Sequence, residues 1–340
     1  MTDLPKVVVF ALGGTIASAA GSGAGATVRL SGAELLAGLP GAGGIAAIEV
    51  QSVRMTPSGD LRLADLFELR TLAEQAIEAG AAGIVVSQGT DTLEETSYAL
   101  DLLTSCDPPI VFTGAMRLAG VPGSDGPANL LAAIRVAASP QARGLGTIVV
   151  FNDEIHAARY VRKRHATSTA TFGSPLAGPL GYVAEDRVRI LLRPDGRFHV
   201  KVPDAARDVQ VAQLTTFFDD DGALIEAIPS LGYGGLVLAA FGAGHMPSWT
   251  VPTLRSVAAA IPVVLASRTN SGEGLQRTYS SPGSETELLA AGLIPAAGID
   301  AAHATVLLRL LLMAGVERDR LRRCFEQAGH PVGLLQAGSG

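Results

Sequence analysis

Two threonines, an aspartate and a lysine in this 340-residue chain stand where they could do chemistry together. Thr15 closes the turn Leu12-Gly13-Gly14-Thr15-Ile16-Ala17, directly after the apolar run Lys6–Leu12. Two glycines without Cβ permit a sharp turn there and bring a hydroxyl to the edge of a sheet. Thr90 lies in Ser87-Gln88-Gly89-Thr90-Asp91-Thr92-Leu93-Glu94-Glu95, with Asp91 beside it. In that stretch Thr92 and Glu95 fit a capping box, which would leave Thr90 and Asp91 on the loop just before a helix, facing a ligand. Threonine and aspartate also suit turns and caps for purely local reasons. A hydroxyl is a weak nucleophile at neutral pH and needs a neighbouring base. Lys163, in the polar segment Asn152–His165, is the candidate, and it would need burial near Thr90 to lower its pKa. Lysines in basic runs are otherwise mostly solvated.

Other chemistries leave no trace. There is no Gly-x-Ser-x-Gly elbow, His-Glu-x-x-His or Walker A sequence. The stretch Gly21–Ala26 loosely resembles a dinucleotide fingerprint, but it begins well after the first strand and reads as a flexible loop. Cys106 and Cys324 are far apart with no metal-ligand spacing, so neither a disulfide framework nor a zinc site is expected. A formal net charge of −6 argues against a nucleic-acid binder.

The elements that must position these residues alternate between strand and helix. Apolar β-branched runs at Lys6–Leu12, Ile84–Ser87, Ile110–Phe112 and Gly146–Phe151 are separated by helical patterns at Leu63–Ala79, Leu93–Leu103 and Ala128–Ala138, the signature of βαβ units around a parallel sheet. In open sheets of this kind ligands bind beyond the carboxyl ends of the strands, where Thr15 and Thr90 fall. Pro, Gly and charge cluster from Leu191 to Asp208, which reads as a linker. The expected organisation is an α/β fold with a larger doubly wound N-terminal domain over 1–190, a linker over 191–208 and a smaller α/β domain over 209–340. In the second domain strands are expected at Val209–Leu214, Leu236–Phe241 and Val263–Ser267, with two closing helices near Ala301–Met313 and Arg318–Ala328. Apolar runs such as Thr305–Ala314 are shorter than the roughly 20 residues that cross a bilayer, so no membrane span is expected. The N-terminus lacks the features of a secretory signal, and the expected location is the cytoplasm.

Taken together, Gly13-Gly14-Thr15-Ile16-Ala17, Gly89-Thr90-Asp91-Thr92-Leu93-Glu94-Glu95-Thr96, Thr113-Gly114-Ala115-Met116-Arg117, Ser124-Asp125-Gly126-Pro127 and Asn152-Asp153 resemble the bacterial type I/II L-asparaginases, which are threonine amidohydrolases. The resemblance implies a flavodoxin-like N-terminal domain, no cofactor or metal, and a homo-oligomer built as a dimer of dimers with active sites between subunits. It implies hydrolysis of L-asparagine, a small-molecule substrate, to L-aspartate and ammonia, with side glutaminase activity. Thr15 matches the nucleophile that forms an acyl-enzyme. Thr90 and Lys163 match the second threonine and its lysine partner, and Asp91 matches the carboxylate that holds the substrate's ammonium group. Ser52 aligns with the serine that binds the substrate α-carboxylate, the main chain of Ala115 with the group near the scissile amide, and Glu285 with an acid contributed across the subunit interface.

The chain departs from the family pattern at four places. Ala26 falls where a lid tyrosine is usual, Gln88 replaces a histidine, Val53 follows the aligned serine where some members have glutamine, and His245 stands where asparagine is frequent. A sensor that binds asparagine or aspartate without turning it over is therefore the alternative expectation.

Overall fold

The computed structural model describes residues 4–20, 26–28 and 30–329, with the backbone alone at 19, 20 and 26–28. Of the expected loop over Gly21–Ala26, residues 21–25 lie outside the described residues, while the Ala26 backbone is extended and pairs with Ala20. The chain divides into two compact units, Met1–Pro194 and Asp195–Gly340.

In the first unit, strand β1 is Lys6–Ala11, β2 Ala47–Ser52, β3 Gly83–Ser87, β4 Ile110–Thr113 and β5 Thr147–Phe151. They pair in parallel in the order β2-β1-β3-β4-β5. This is the flavodoxin-like strand order, and its direction reverses between β1 and β3. Every residue of β3, β4 and β5 is buried, as required where both faces of a parallel sheet are covered. Helices α1 (Gly32–Ala37) and α4 (Gly126–Ala138) pack with Val7, Val9, Val85, Ile148 and Val150 on one face. Helices α2 (Leu63–Glu78) and α3 (Leu93–Leu103) contact the sheet at β3 and at β4 and β5.

The sheet is not wholly parallel. After β5 the chain reverses through Asn152 (φ 51°) and Asp153 (φ 63°), a two-residue turn of the kind that closes tight hairpins. It returns as β6 (Glu154–Ala157), antiparallel to β5. Past the two-stranded ribbon of β7 (Arg162–Lys163) and β8 (Phe172–Gly173), strands β9 (Gly181–Ala184) and β10 (Arg187–Ile190) extend the sheet antiparallel from β6. The sequence reading saw a polar segment over Asn152–His165, where this extension begins, and no strands beyond it, because each is only two to four residues long.

The second unit holds β11 (Val211–Thr215), β12 (Gly235–Ala240), β13 (Val263–Ser267) and β14 (Ile294–Pro295), all parallel and in sequential order. Its core joins Leu236, Leu238, Leu254, Val263 and Leu288. The short helices α5 (Ala223–Ala227) and α7 (Glu285–Ala290) alternate with α6 (Val251–Ala260), and α8 (Ala301–Met313) and α9 (Arg318–Gly329) close it. Among the described residues no helix is long and apolar enough to cross a membrane, and no group of three or more His, Cys, Asp or Glu could hold a metal ion.

Candidate active site

The turns that follow β1 and β3 meet at the point where the strand order reverses. Gly13 has φ 102° and Gly14 φ 82°, a left-handed region open to glycine and costly for other residues. Space demands glycine too: a Cβ on Gly13 would lie 2.7 Å from the Thr56 nitrogen, and one on Gly14 would run into the Gly89 backbone. The two turns therefore touch main chain to main chain, and the residue after each glycine is a threonine, Thr15 and Thr90. Thr15 is partly buried and opens a single 3-10 turn, Thr15–Ala17, whose Ile16 and Ala17 are buried. The Ser18 hydroxyl donates to the Gly14 carbonyl at 2.8 Å and ties that turn down.

Lys163 reaches the second turn from β7. Its Nζ donates to Thr90 Oγ1 at 2.9 Å and to Asp91 Oδ1 at 2.6 Å. The lysine is placed from behind by Glu94, in the first turn of α3, whose carboxylate accepts from the Lys163 backbone N–H. Next to it, burial pushes the Arg162 guanidinium down to about 10, with Glu94, Tyr98 and Glu95 working the other way. The Lys163 side chain is 19% exposed and that of Asp91 79%. Asp91 stands open to solvent, so its carboxylate meets no desolvation cost before a cation arrives.

The local capping expectation fails for an identifiable reason. Thr92 is the N-cap of α3 by position, yet its hydroxyl makes no cap bond and donates to the Ser58 carbonyl at 2.9 Å. Ser58, only 2% exposed at the start of a 3-10 turn, also accepts the Asp91 N–H through its Oγ at 3.2 Å. It clamps the Thr90-Asp91-Thr92 turn from both sides, and a Cβ on Gly89 would fall 2.8 Å from its Oγ. Sequence reading missed Ser58; its signal was the Met55-Thr56-Pro57-Ser58 loop entering α2. Ser52, the aligned serine, is exposed at the end of β2, and its Oγ accepts the Gly32 N–H at 3.1 Å.

Behind the two turns, the start of α4 stitches a third loop into place. Asp125 accepts from the N–H groups of Met116 and Arg117. Asn129 donates to the Gly114 carbonyl and to Asp125, and its Oδ1 accepts the Asn152 N–H at 3.0 Å. Ala115, fully buried, is thereby held between two pinned neighbours. A Cβ on Gly114 would meet the Gln88 carbonyl at 2.6 Å and Thr90 Cγ2 at 3.3 Å, so this loop abuts the Thr90 turn. The Thr90 hydroxyl donates to Met116 Sδ at 3.5 Å. Gln88, buried completely, bonds to Thr96 and to the Gly89 carbonyl, and so serves the turn itself.

Glu285 belongs to the second unit and is wholly buried. Its Oε1 accepts the N–H groups of Thr278 and Tyr279, each at 2.8 Å, and Oε2 meets His245 Nε2 at 2.9 Å. Burial alone would raise its pKa; the N–H groups of Tyr279, Thr278 and Glu285 itself, and then His245, outweigh it and hold the acid below the usual carboxylate range. His245 is the accessible end of the pair, 31% exposed and edge-on to the Tyr279 ring. At Ala26 the backbone pairs with Ala20 in an antiparallel ribbon, and its side chain lies outside the described residues.

Comparisons with known proteins identify the family of the chain and its fold. The family description "Asparaginase, N-terminal" matches residues 6–195, and "Glutaminase/Asparaginase C-terminal domain" matches 210–325. A probable L-asparaginase of Deinococcus radiodurans is 37% identical over 333 residues, covering 96% of this chain and 98% of that protein. A glutaminase-asparaginase of Pseudomonas fluorescens biotype A is 34% identical over 83% of this chain and 80% of its own length. Among solved structures, a probable cytoplasmic L-asparaginase from Campylobacter jejuni aligns with TM-score 0.85 at 26% identity, over 94% of this chain and 99% of that one.

Proposed function

The chain belongs to the asparaginase family, and from that premise we propose that it hydrolyses L-asparagine to L-aspartate and ammonia through a threonine acyl-enzyme, with side activity on glutamine. The observation that carries this reading is the Lys163 ammonium held on both Thr90 Oγ1 and Asp91 Oδ1, beside the glycine contact that brings the Thr15 turn against the Thr90 turn.

In this reading Thr15 Oγ1 bonds to the carboxamide carbon as its proton passes to the Thr90–Lys163–Asp91 chain. Lys163 as placed is a donor, so it accepts a proton from Thr90 only by handing one to Asp91. In this reading the tetrahedral oxyanion is stabilised by backbone N–H groups near Thr90, in the favourable field of a helix N-terminus. The C–N bond then breaks, ammonia leaves with the returned proton, and water hydrolyses the Thr15 ester to release aspartate.

The open carboxylate of Asp91 suits the substrate ammonium. For the α-carboxylate, Ser58 is better placed than Ser52, since it adjoins the Asp91 turn while Ser52 lies against the start of α1. The main chain of Ala115, next to the Gly114 that abuts Thr90, borders the scissile amide in this reading. Glu285, with both oxygens engaged, acts by orienting His245 and not by touching substrate. The assembly in this reading is a dimer of dimers working in the cytoplasm.

The test is ammonia release from asparagine, glutamine and their D-isomers. Thr15→Ala should lower it more than a hundredfold with the fold intact, since loss of a nucleophile removes several kcal/mol of transition-state stabilisation. Equal turnover by that variant would overturn the mechanism. Tight aspartate binding without ammonia would assign the sensor role instead.

A further inference from the structure

The Thr90 hydroxyl has an unusual partner. It accepts from Lys163 Nζ at 2.9 Å, which commits a lone pair, and it directs its own proton to the thioether sulfur of Met116 at 3.5 Å. Thioether sulfur is a weak acceptor. A proton resting there is oriented but loosely held, available to a better acceptor once one arrives. Thr90 itself is 5% exposed, so few water molecules compete for that proton. Meanwhile the Met116 backbone is fixed by Asp125 through N–H bonds at 3.0 and 3.2 Å. The sulfur therefore cannot drift away without first leaving that clamp or changing its side-chain rotamer.

Met116 is also partly accessible, unlike the fully buried Ala115 before it. Accessibility and sulfur together make it oxidisable. We propose that Met116 is a redox-sensitive positioning residue, and that its conversion to methionine sulfoxide by a peroxide switches the site off by capturing the Thr90 proton. In that step a sulfur lone pair attacks the peroxide O–O bond; one oxygen is transferred to sulfur, which is oxidised, and the peroxide is reduced to water. The sulfoxide oxygen is a far stronger acceptor than the thioether and adds bulk beside Thr90. It turns a loosely parked proton into a firmly bonded one. The proposal rests on the reading of Thr90 as part of the proton chain, and its test is arranged so that the two can fail separately.

The full-length protein is treated with hydrogen peroxide, and oxidation at each methionine is followed by peptide mass mapping alongside ammonia release. Met55 is 47% exposed and will oxidise as well, so Met55→Leu is the background for every arm. The expected result is a loss of kcat of tenfold or more that follows the Met116 sulfoxide fraction, with KM within twofold, and recovery on treatment with a methionine sulfoxide reductase. Met116→Leu should begin with a lower kcat, having no acceptor for the Thr90 proton, and lose less than twofold more under peroxide. Equal peroxide sensitivity of Met116→Leu, or full activity with Met116 oxidised, overturns the proposal. A second readout does not require turnover: with methyl-labelled methionine, Thr90→Val should shift the Met116 methyl NMR signal. An unmoved signal removes the hydrogen bond on which the proposal stands. Absence of ammonia release from the untreated enzyme, with that shift present, would instead sink the asparaginase reading.

Discussion

Each unit of the molecule carries an acid paired with a nitrogen base, and the two pairs are built to opposite specifications. In the first, Asp91 is 79% exposed and gives one oxygen to Lys163. In the second, Glu285 is wholly buried and gives both oxygens to its surroundings, two backbone N–H groups on one and His245 on the other. An open carboxylate with unspent capacity can receive a ligand. A saturated one holds a loop and a histidine in place. Both acids are carboxylates beside a cationic or ring nitrogen; the difference lies in which lone pairs remain for use.

The largest effect that separates the pairs should come from Lys163→Met. It removes the donor that orients Thr90 and the cation on Asp91, and kcat for asparagine should fall about a thousandfold, roughly 4 kcal/mol of transition-state stabilisation. Because an ion pair open to solvent on one side contributes about 1 kcal/mol or less to folding, the denaturation midpoint should hardly move. A large loss of stability with kcat preserved would invert the comparison.

The cost of burying an ionisable group outweighs a nearby carboxylate at His156, whose Nε2 lies 3.2 Å from Glu154 Oε2. His156 is fully buried, with Nδ1 3.0 Å from Ser174 Oγ, and burial lowers its pKa to about 4 from an ordinary value near 6.5. The unfolded chain binds this proton more readily than the folded one, so stability is complete above pH 6.5 and is lost as pH falls toward 4, by about 3 kcal/mol. Urea unfolding of the protein and of His156→Gln at pH 7 and pH 4.5 should show a steeper loss in the parent. Parallel losses would mean that His156 is not the group responsible.

Next in size is Glu285→Leu, which strands two buried N–H donors and the His245 ring. It should cost about 2 kcal/mol in chemical denaturation. Asp91→Asn, its counterpart in the open pair, should cost less than half as much while weakening asparagine binding. The smallest effect distinguishes the two serines: Ser58→Ala should raise KM for asparagine about tenfold, and Ser52→Ala less than twofold, in the same ammonia assay. Reversed values would return the α-carboxylate to Ser52.

Much of the site was legible because local chemistry announces it. Gly13-Gly14-Thr15 and Gly89-Thr90-Asp91 each follow an apolar run, and only glycine tolerates both the positive φ and the backbone contact found at Gly14. The core strands and the helices Leu63–Glu78, Leu93–Leu103 and Ala301–Met313 were readable from periodicity within a residue or two. Ser58 was hidden, because which serine arrives beside Asp91 depends on the path of the loop between β2 and α2. The capping box at Thr92 was misread because the Thr92 hydroxyl is drawn to a carbonyl 34 residues away in the chain, that of Ser58. The antiparallel strands beyond β5 were too short to show a period at all.

By itself the sequence determined the alternation of strand and helix, the glycine turns at the strand ends and the kinds of side chain those turns would display. Each is decided by steric freedom and hydrophobic period over a few neighbouring residues. Only the tertiary structure decided that Lys163 bonds to Thr90, that Asp91 stays open while Glu285 is sealed, and that Ser58 and not Ser52 adjoins the Asp91 N–H. Those outcomes depend on contacts between residues far apart in the chain, where packing and competition for hydrogen bonds choose the partner.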